Sequence, residues 1–381
     1  MKRILFCASR VSHILNFHLP YIQYFKENGY EVHIAVQGNT RHPLIDRCYD
    51  LAFTKNLFSA GNIKTIFSLK KIIQENHYEV ICSNTTLAGT AVKAALMMIR
   101  RDKPYFVHIS HGYMFSQHNG LKDSFILLCE KMTKSPVDEL VVMNNEDYIL
   151  ARKYQLGKNL HYIYGMGLDA KRFDSNNREQ RQHWRRKIGA DDHTKILLCV
   201  GELSARKNQI SVIEVFNRLC REHQNIMLVL AGDGADSEKC RLLAEKYELG
   251  GRIRFLGQQQ DVNLIYRSCD LLVSASKMEG LPFNVMEALY CGLPAALSAV
   301  KGHVDLAEDG VNAVLFDAND RDDMFLKINE VLSDEALYGR LKSNASLDEK
   351  YLLDNVRPTL LAILDRDYRK DDIQKKERVH L

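Results

Sequence analysis

The 381-residue sequence holds no uninterrupted apolar run approaching the ~20 residues that a membrane-spanning helix needs, so no crossing helix is expected. Its opening, Met1-Lys2-Arg3-Ile4-Leu5-Phe6-Cys7-Ala8, is too short an apolar run for a signal peptide. Ser9-Arg10 then breaks it without a cleavage pattern, so a buried first strand is the better reading. None of the nine cysteines is spaced C-x-x-C, which argues against a zinc site or a disulfide frame. Most lie in apolar stretches such as Leu197-Leu198-Cys199-Val200, where a thiol acts as a small hydrophobe in a reducing compartment. A cytoplasmic chain is therefore expected, at most lying against the inner face of the cell membrane. The turn after the first strand has no glycine, so the G-x-G-x-x-G of a dinucleotide oxidoreductase is missing, and Gly232-Asp233-Gly234 lacks the third glycine. The D-x-D at Asp365-Arg366-Asp367 lies inside the charged terminal helical pattern, and no strand-end metal site and no bound metal or organic cofactor are expected. Short repeats, low-complexity tracts and aromatic-interleaved basic patches are lacking too, which sets nucleic acid aside as a partner.

What is present is the balance of a soluble globular enzyme, 46% hydrophobic and 26% charged, long enough for two domains. The net charge of +4 is unevenly placed. Residues 1–165 hold 20 Lys and Arg against 13 Asp and Glu, a net of +7, and the remainder 32 against 35, a net of −3. A basic first half suits an anionic surface, although a solvated face with chance asymmetry is equally compatible.

Short apolar strands alternate with amphipathic helical stretches throughout. The first series is Ile4–Ala8, Glu31–Val36, Glu79–Ser83, Phe106–Ser110 and Glu139–Met143, with helical patterns at Ile63–Asn76 and Leu87–Arg100. The second is Lys195–Val200, Ile226–Ala231, Arg252–Leu256, Asp270–Ser274 and Ala295–Ser298. Continuous apolar strands between helices imply parallel sheets covered on both faces, hence two doubly wound, Rossmann-like α/β domains facing across a cleft. The expected division is 1–165 and 166–351, at the glycines of Tyr164-Gly165-Met166-Gly167, with a terminal helix over 352–371 returning to the first domain and a frayed tail, 372–381. Ligands of such sheets sit beyond the carboxyl ends of the strands, which directs attention to the loops there.

The most informative loop runs from Ser274 through Glu279-Gly280-Leu281-Pro282-Phe283 to Glu287. Pro282 opens a helix whose first turn offers free N–H groups and the positive end of its dipole to phosphate oxygens. Glu287 lies on that helix, within reach of sugar hydroxyls, and Glu279 sits just before it. The bland alternative is a capping Glu and a solvated one. A second loop, Gly201-Glu202-Leu203-Ser204-Ala205-Arg206-Lys207-Asn208, carries two cations able to meet a leaving diphosphate. His111 ends a strand at His111-Gly112, whereas His108, on the same strand face, reads as packing. Arg10 and His13 could meet phosphates of an acceptor, or His13 and His18 could be ordinary helix residues.

Glu279 and Glu287 match the E-x7-E motif, and here the chain resembles the retaining glycosyltransferases of family 4 (group 1) with the GT-B fold. Cys291-Gly292-Leu293-Pro294-Ala295, Ser298–Asp305, Gly165–Phe173, Ala231-Gly232-Asp233-Gly234 and Phe255-Leu256-Gly257 through Asp261 resemble further family blocks. The resemblance implies that Glu287 binds the donor ribose, that Glu279 lies against the donor sugar, and that the backbone at Gly280, Leu281, Pro282 and Phe283 contacts the donor. It assigns Lys207 to phosphate and His111 to the donor sugar or its phosphate. Two departures stand out: Glu202 replaces the usual Arg after the Gly, and Asn208 the usual Gly after the Lys. Arg206 is expected to supply the missing positive charge. The resemblance implies a UDP-sugar donor carrying a hexose or N-acetylhexosamine, a polyprenyl-diphosphate-linked saccharide acceptor, and a place in capsule, exopolysaccharide or O-antigen synthesis. A sugar-nucleotide epimerase or hydrolase on the same fold, or a nucleotide-sugar-responsive binding protein, are the rival readings. Finally, Lys122, Lys131 and Lys134 accompany the apolar run Phe125–Cys129, a pattern that suits either an anionic membrane surface or packing on the domain's own sheet.

Overall fold

A computed structural model describes residues 1–54, 59–116, 120–173 and 177–368. They fold into two compact units, one of residues 1–167 and the chain from Leu353 onward, the other Leu168–Leu352. The expected frayed tail, 372–381, lies outside the described residues.

The first unit is built on seven parallel strands: β1 (Arg3–Cys7), β2 (Glu31–Val36), β3 (Arg47–Asp50), β4 (Val80–Asn84), β5 (Tyr105–Ile109), β6 (Glu139–Val142) and β7 (Asn159–Tyr162), in the order 3-2-1-4-5-6-7. Strand β1 pairs with both β2 and β4, and from Ile4 to Cys7 every residue is buried, as a central strand covered by helices on both faces requires. The helix Leu353–Leu364 packs against the Leu19–Glu27 helix, and Tyr24 donates a 2.9 Å hydrogen bond to Asp365 just beyond it.

The second unit has six parallel strands: β8 (Lys195–Val200), β9 (Ile226–Ala231), β10 (Ile253–Gly257), β11 (Leu271–Ser274), β12 (Ala295–Ser298) and β13 (Ala313–Phe316), ordered 10-9-8-11-12-13. Helices Gln209–Glu222 and Arg321–Ser333 bury Phe216, Leu219, Met324 and Ile328 in its core.

The chain passes between the units at two places. At the first, Gly167 has φ +81, and a Cβ there would lie 2.5 Å from the Leu353 Cα, so no side chain fits.

Strands β3, β7 and β13, paired with β2, β6 and β12, lie outside the two strand series expected from sequence, and all three are at sheet edges. Strand β3, Arg-Cys-Tyr-Asp, shows its ends to solvent and so lacks the apolar run that marks a central strand.

In each sheet the strand order reverses once, between β1 and β4 and between β8 and β11. Neighbouring crossovers there leave on opposite faces, which opens a crevice at the carboxyl ends. Both side-chain clusters described next lie at such a reversal.

Candidate active site

In the second unit the loops after β8 and β11 meet. Lys207 places its Nζ 2.7 Å from Glu279 Oε1, and the Arg206 Nη1 lies 3.1 Å from Glu279 Oε2. The backbone ties the same loops: Lys277 N–H donates to the Arg206 carbonyl at 2.8 Å, and the Arg206 guanidinium donates to the Met278 carbonyl at 2.9 Å. Glu279 and Lys207 are largely buried, whereas Arg206 is about half exposed, at 46%. Burial alone would raise the Glu279 carboxyl, but the Lys207 and Arg206 charges, with His303, overcome it and hold it down at about 2. One carboxylate against two cations leaves a net positive cluster.

Asn208 adopts φ +59, the left-handed region that Asn tolerates better than most residues. That conformation explains why a glycine is usual at this position and why Asn can replace it. Exposed Glu202 contributes nothing to the cation pair, which Arg206 completes.

The turn before the helix Phe283–Tyr290 is held from three sides. Asn284 donates from its carboxamide to the Val200 carbonyl at the end of β8, at 3.0 Å. The Ser298 hydroxyl donates to the Ser276 carbonyl at 2.6 Å. Gly302, at φ +80, brings its backbone so close that a Cβ would stand 2.4 Å from the Gly280 oxygen. Pro282 is the N-cap rather than the first helical residue, and no side chain caps the first turn. The first turn presents the positive end of the helix dipole.

Glu287 is half-buried on that helix and accepts a 2.8 Å hydrogen bond from the hydroxyl of fully buried Tyr266. Burial raises its carboxyl to about 7, against the opposing pull of the Tyr266 bond and of Arg172. Tyr266 carries no signal in the motif pattern, since its contact comes from packing, and His303 falls in the Ser298–Asp305 block with no role assigned to it there. His303 is fully buried, takes the Ser298 carbonyl at 2.8 Å and lies 3.3 Å from the Ser274 hydroxyl, bracing the loop under Glu279.

In the first unit, His13 and His111 come together at the β1/β4 reversal with their Nε2 atoms 3.2 Å apart. Asn84, at the end of β4, adds its Oδ1 3.3 Å from His111 Nε2. Arg10 is exposed at the N-cap of the Val11–Phe17 helix. His108 is buried and bonded to the Ser83 hydroxyl at 2.8 Å.

The helix Leu121–Thr133 turns Leu127 and Glu130 inward, Glu130 pairing with buried Lys93, and leaves Leu121, Phe125, Leu128 and Met132 exposed. That spacing is one helical stripe. Lys131 lies over the Tyr154 ring, and Lys134 donates to the Tyr154 carbonyl. No helix among the described residues is long and apolar enough to cross a membrane.

A family model described as glycosyl transferases group 1 matches residues 180–348, and one described as glycosyl transferase 4-like matches residues 3–144. The chain is 32% identical to the Bacillus subtilis protein named as glycosyltransferase EpsD, over 84% of each chain. It is 23% identical, over 74% of each chain, to an Escherichia coli enzyme named as the α-1,3-galactosyltransferase that acts from UDP-Gal on α-D-GlcNAc-diphosphoundecaprenol. Among solved structures, Anabaena HepE in complex with UDP and glucose superposes with a TM-score of 0.76 at 17% identity, over 96% of this chain and 99% of that one. The likeness shows the shared GT-B fold of two Rossmann-like domains.

Proposed function

The chain belongs to the group 1 glycosyltransferases, and from that premise we propose that it moves a hexose or N-acetylhexosamine from a UDP-sugar to a polyprenyl-diphosphate-linked saccharide, retaining the anomeric configuration, in the synthesis of a surface polysaccharide. The observation that carries the donor half is the net positive Arg206–Lys207–Glu279 cluster beside the turn Gly280–Phe283 that starts the helix. When the bond between the anomeric carbon and the diphosphate oxygen breaks, its electron pair stays on the nucleotide diphosphate. Fixed cations placed there stabilise that charge as it develops. In this reading Lys207 and Arg206 do the work a divalent ion performs elsewhere, so transfer proceeds without a metal. The backbone N–H groups of Leu281 and Phe283 accompany them, Glu287 accepts from the ribose hydroxyls, and Glu279 aims both cations while lying against the sugar. His111 is assigned to the sugar or its phosphate, and Arg10 with His13 to the acceptor. A UDP-sugar and a lipid-linked acceptor are supported by the names of the Escherichia coli relative and by the UDP in the HepE structure.

The test offers a panel of UDP-sugars with and without a short polyprenyl-diphosphate saccharide. One donor at a hundredfold excess over its Kd should stabilise the fold by about 2.7 kcal/mol and yield an elongated lipid-linked product only when acceptor is present. Donor consumption at the same rate without acceptor would instead identify a hydrolase or epimerase.

The exposed stripe Leu121, Phe125, Leu128 and Met132, in the net-basic first half, supports peripheral contact with an anionic membrane. Co-sedimentation with anionic vesicles at low salt is expected, and it should be lost on Phe125→Asp plus Leu128→Asp. Failure of the unaltered protein to sediment would rule the contact out.

A further inference from the structure

Four polar side chains converge at the β1/β4 reversal of the first unit. His13 comes from the helix after β1 and His18 from the end of that helix. Asn84 ends β4, and His111 lies just beyond β5. One ring nitrogen from each of the three histidines lies within 4.8 Å of the others. The imidazoles meet edge to face, His13 with His111 at 4.5 Å between centroids and His18 with His111 at 6.2 Å.

His18 is the unusual member. It is fully buried, and neither its Nδ1 nor its Nε2 meets a hydrogen-bond partner. Leaving a buried polar atom unpaired costs about 1–3 kcal/mol, and the other buried histidines of this unit avoid it: His108 bonds Ser83, and His33 bonds Tyr78 and Glu31. Nor can the His13–His111 contact satisfy everything, because two facing nitrogens share at most one proton. A cation accepting all these lone pairs would satisfy the cluster at once.

We propose that His13, His18 and His111, with the carboxamide oxygen of Asn84 as fourth donor, form a binding site for a divalent transition metal ion of the zinc class. Imidazole nitrogen with one oxygen is a donor set that suits zinc. Tetrahedral coordination at about 2.0–2.1 Å puts ligand atoms roughly 3.3 Å apart. The His13–His111 separation of 3.2 Å and the His111–Asn84 separation of 3.3 Å already match that spacing. His18 completes the set by closing at most about 1.5 Å, within the reach of a small rotation of the ring. Asn84 is aimed for the role, since its Nδ2 points to the Cys7 carbonyl and Cys82 Sγ, each at 3.5 Å, turning the oxygen toward the histidines. The site lies wholly within the first unit; it shares His13 and His111 with the sugar and acceptor contacts proposed above, and its test reads metal uptake rather than sugar transfer.

The experiment titrates Zn2+ into the chelator-stripped full chain by calorimetry and repeats it with Co2+ while recording visible spectra. One ion per chain is expected, with the intense d–d bands of tetrahedral cobalt. His18→Phe keeps a ring in the core while removing both nitrogens. Loss of a direct ligand should weaken Zn2+ binding by more than the ~10–100-fold typical of an outer-shell change. Should His18→Phe fail to fold, His13→Gln, at a half-buried position, carries the same expectation. No stoichiometric uptake by the unaltered chain, octahedral cobalt spectra, or equal affinity in a folded variant would each overturn the proposal.

Discussion

Replacing Lys207 with alanine is expected to slow sugar transfer about 10²–10³-fold, the usual cost of removing one preorganised group that stabilises developing negative charge. The same change strips Glu279 of its closer partner, at 2.7 Å, and leaves a nearly buried carboxylate facing only the half-exposed Arg206. Removing one member of a buried pair costs about 3–5 kcal/mol, so the melting temperature should fall as well. The two effects separate in a second variant. Lys207→Ala combined with Glu279→Gln removes the stranded charge and should recover much of the stability, yet it should recover none of the turnover. Steady-state rates and thermal unfolding of the three proteins decide the matter. Full activity in Lys207→Ala would show that the diphosphate is held elsewhere. The same pair has a signature in acid. The Glu279 carboxyl is held at about 2 in the folded chain against an ordinary 4.5, so its stabilisation, about 3 kcal/mol, is complete above the ordinary value and drains away as pH falls toward 2.

Donor affinity is expected to rise about tenfold between roughly pH 6 and pH 8, and Glu287→Gln should abolish that rise. Burial lifts the Glu287 carboxyl to about 7. Below that pH it carries a proton and offers ribose hydroxyls a weaker acceptor; above it, the carboxylate accepts with full charge. The sign for folding is opposite to that of Glu279. A carboxyl with a raised folded value costs stability as pH climbs from 4.5 through 7, a cost that bound donor repays with hydrogen bonds. Calorimetric titration of UDP at several pH values provides the check. A flat profile in the unaltered protein would detach Glu287 from the donor.

Much of this was legible in the residues, and the reasons are particular. Strands β2, β8, β9 and β12 begin and end where their apolar runs do, because strands buried on both faces leave no polar alternation to confuse the pattern. Strands β3 and β13 were not legible, the first because its ends face solvent, the second because it is four residues long behind the polar turn Glu308–Asn312. The loops carrying Lys207 and Glu279 stood out separately, each following a strand. Their ion pair did not, since it joins positions 72 residues apart through the adjacency of β8 and β11. Tyr266, His303 and Asn284 stayed hidden for the same reason: each acts through a neighbour supplied by another strand or loop. His18 looked like one more helix residue until burial showed its nitrogens unpaired.

The central claim is that a nucleotide diphosphate docks where β8 and β11 diverge. A crystal structure of the chain with UDP tests it most directly. The account predicts diphosphate oxygens at hydrogen-bonding distance, about 2.7–3.2 Å, from Lys207 Nζ and from the backbone N–H groups of Leu281 and Phe283, with the ribose hydroxyls on Glu287. A well-ordered UDP bound anywhere else, with the Lys207–Glu279 pair undisturbed, would contradict it.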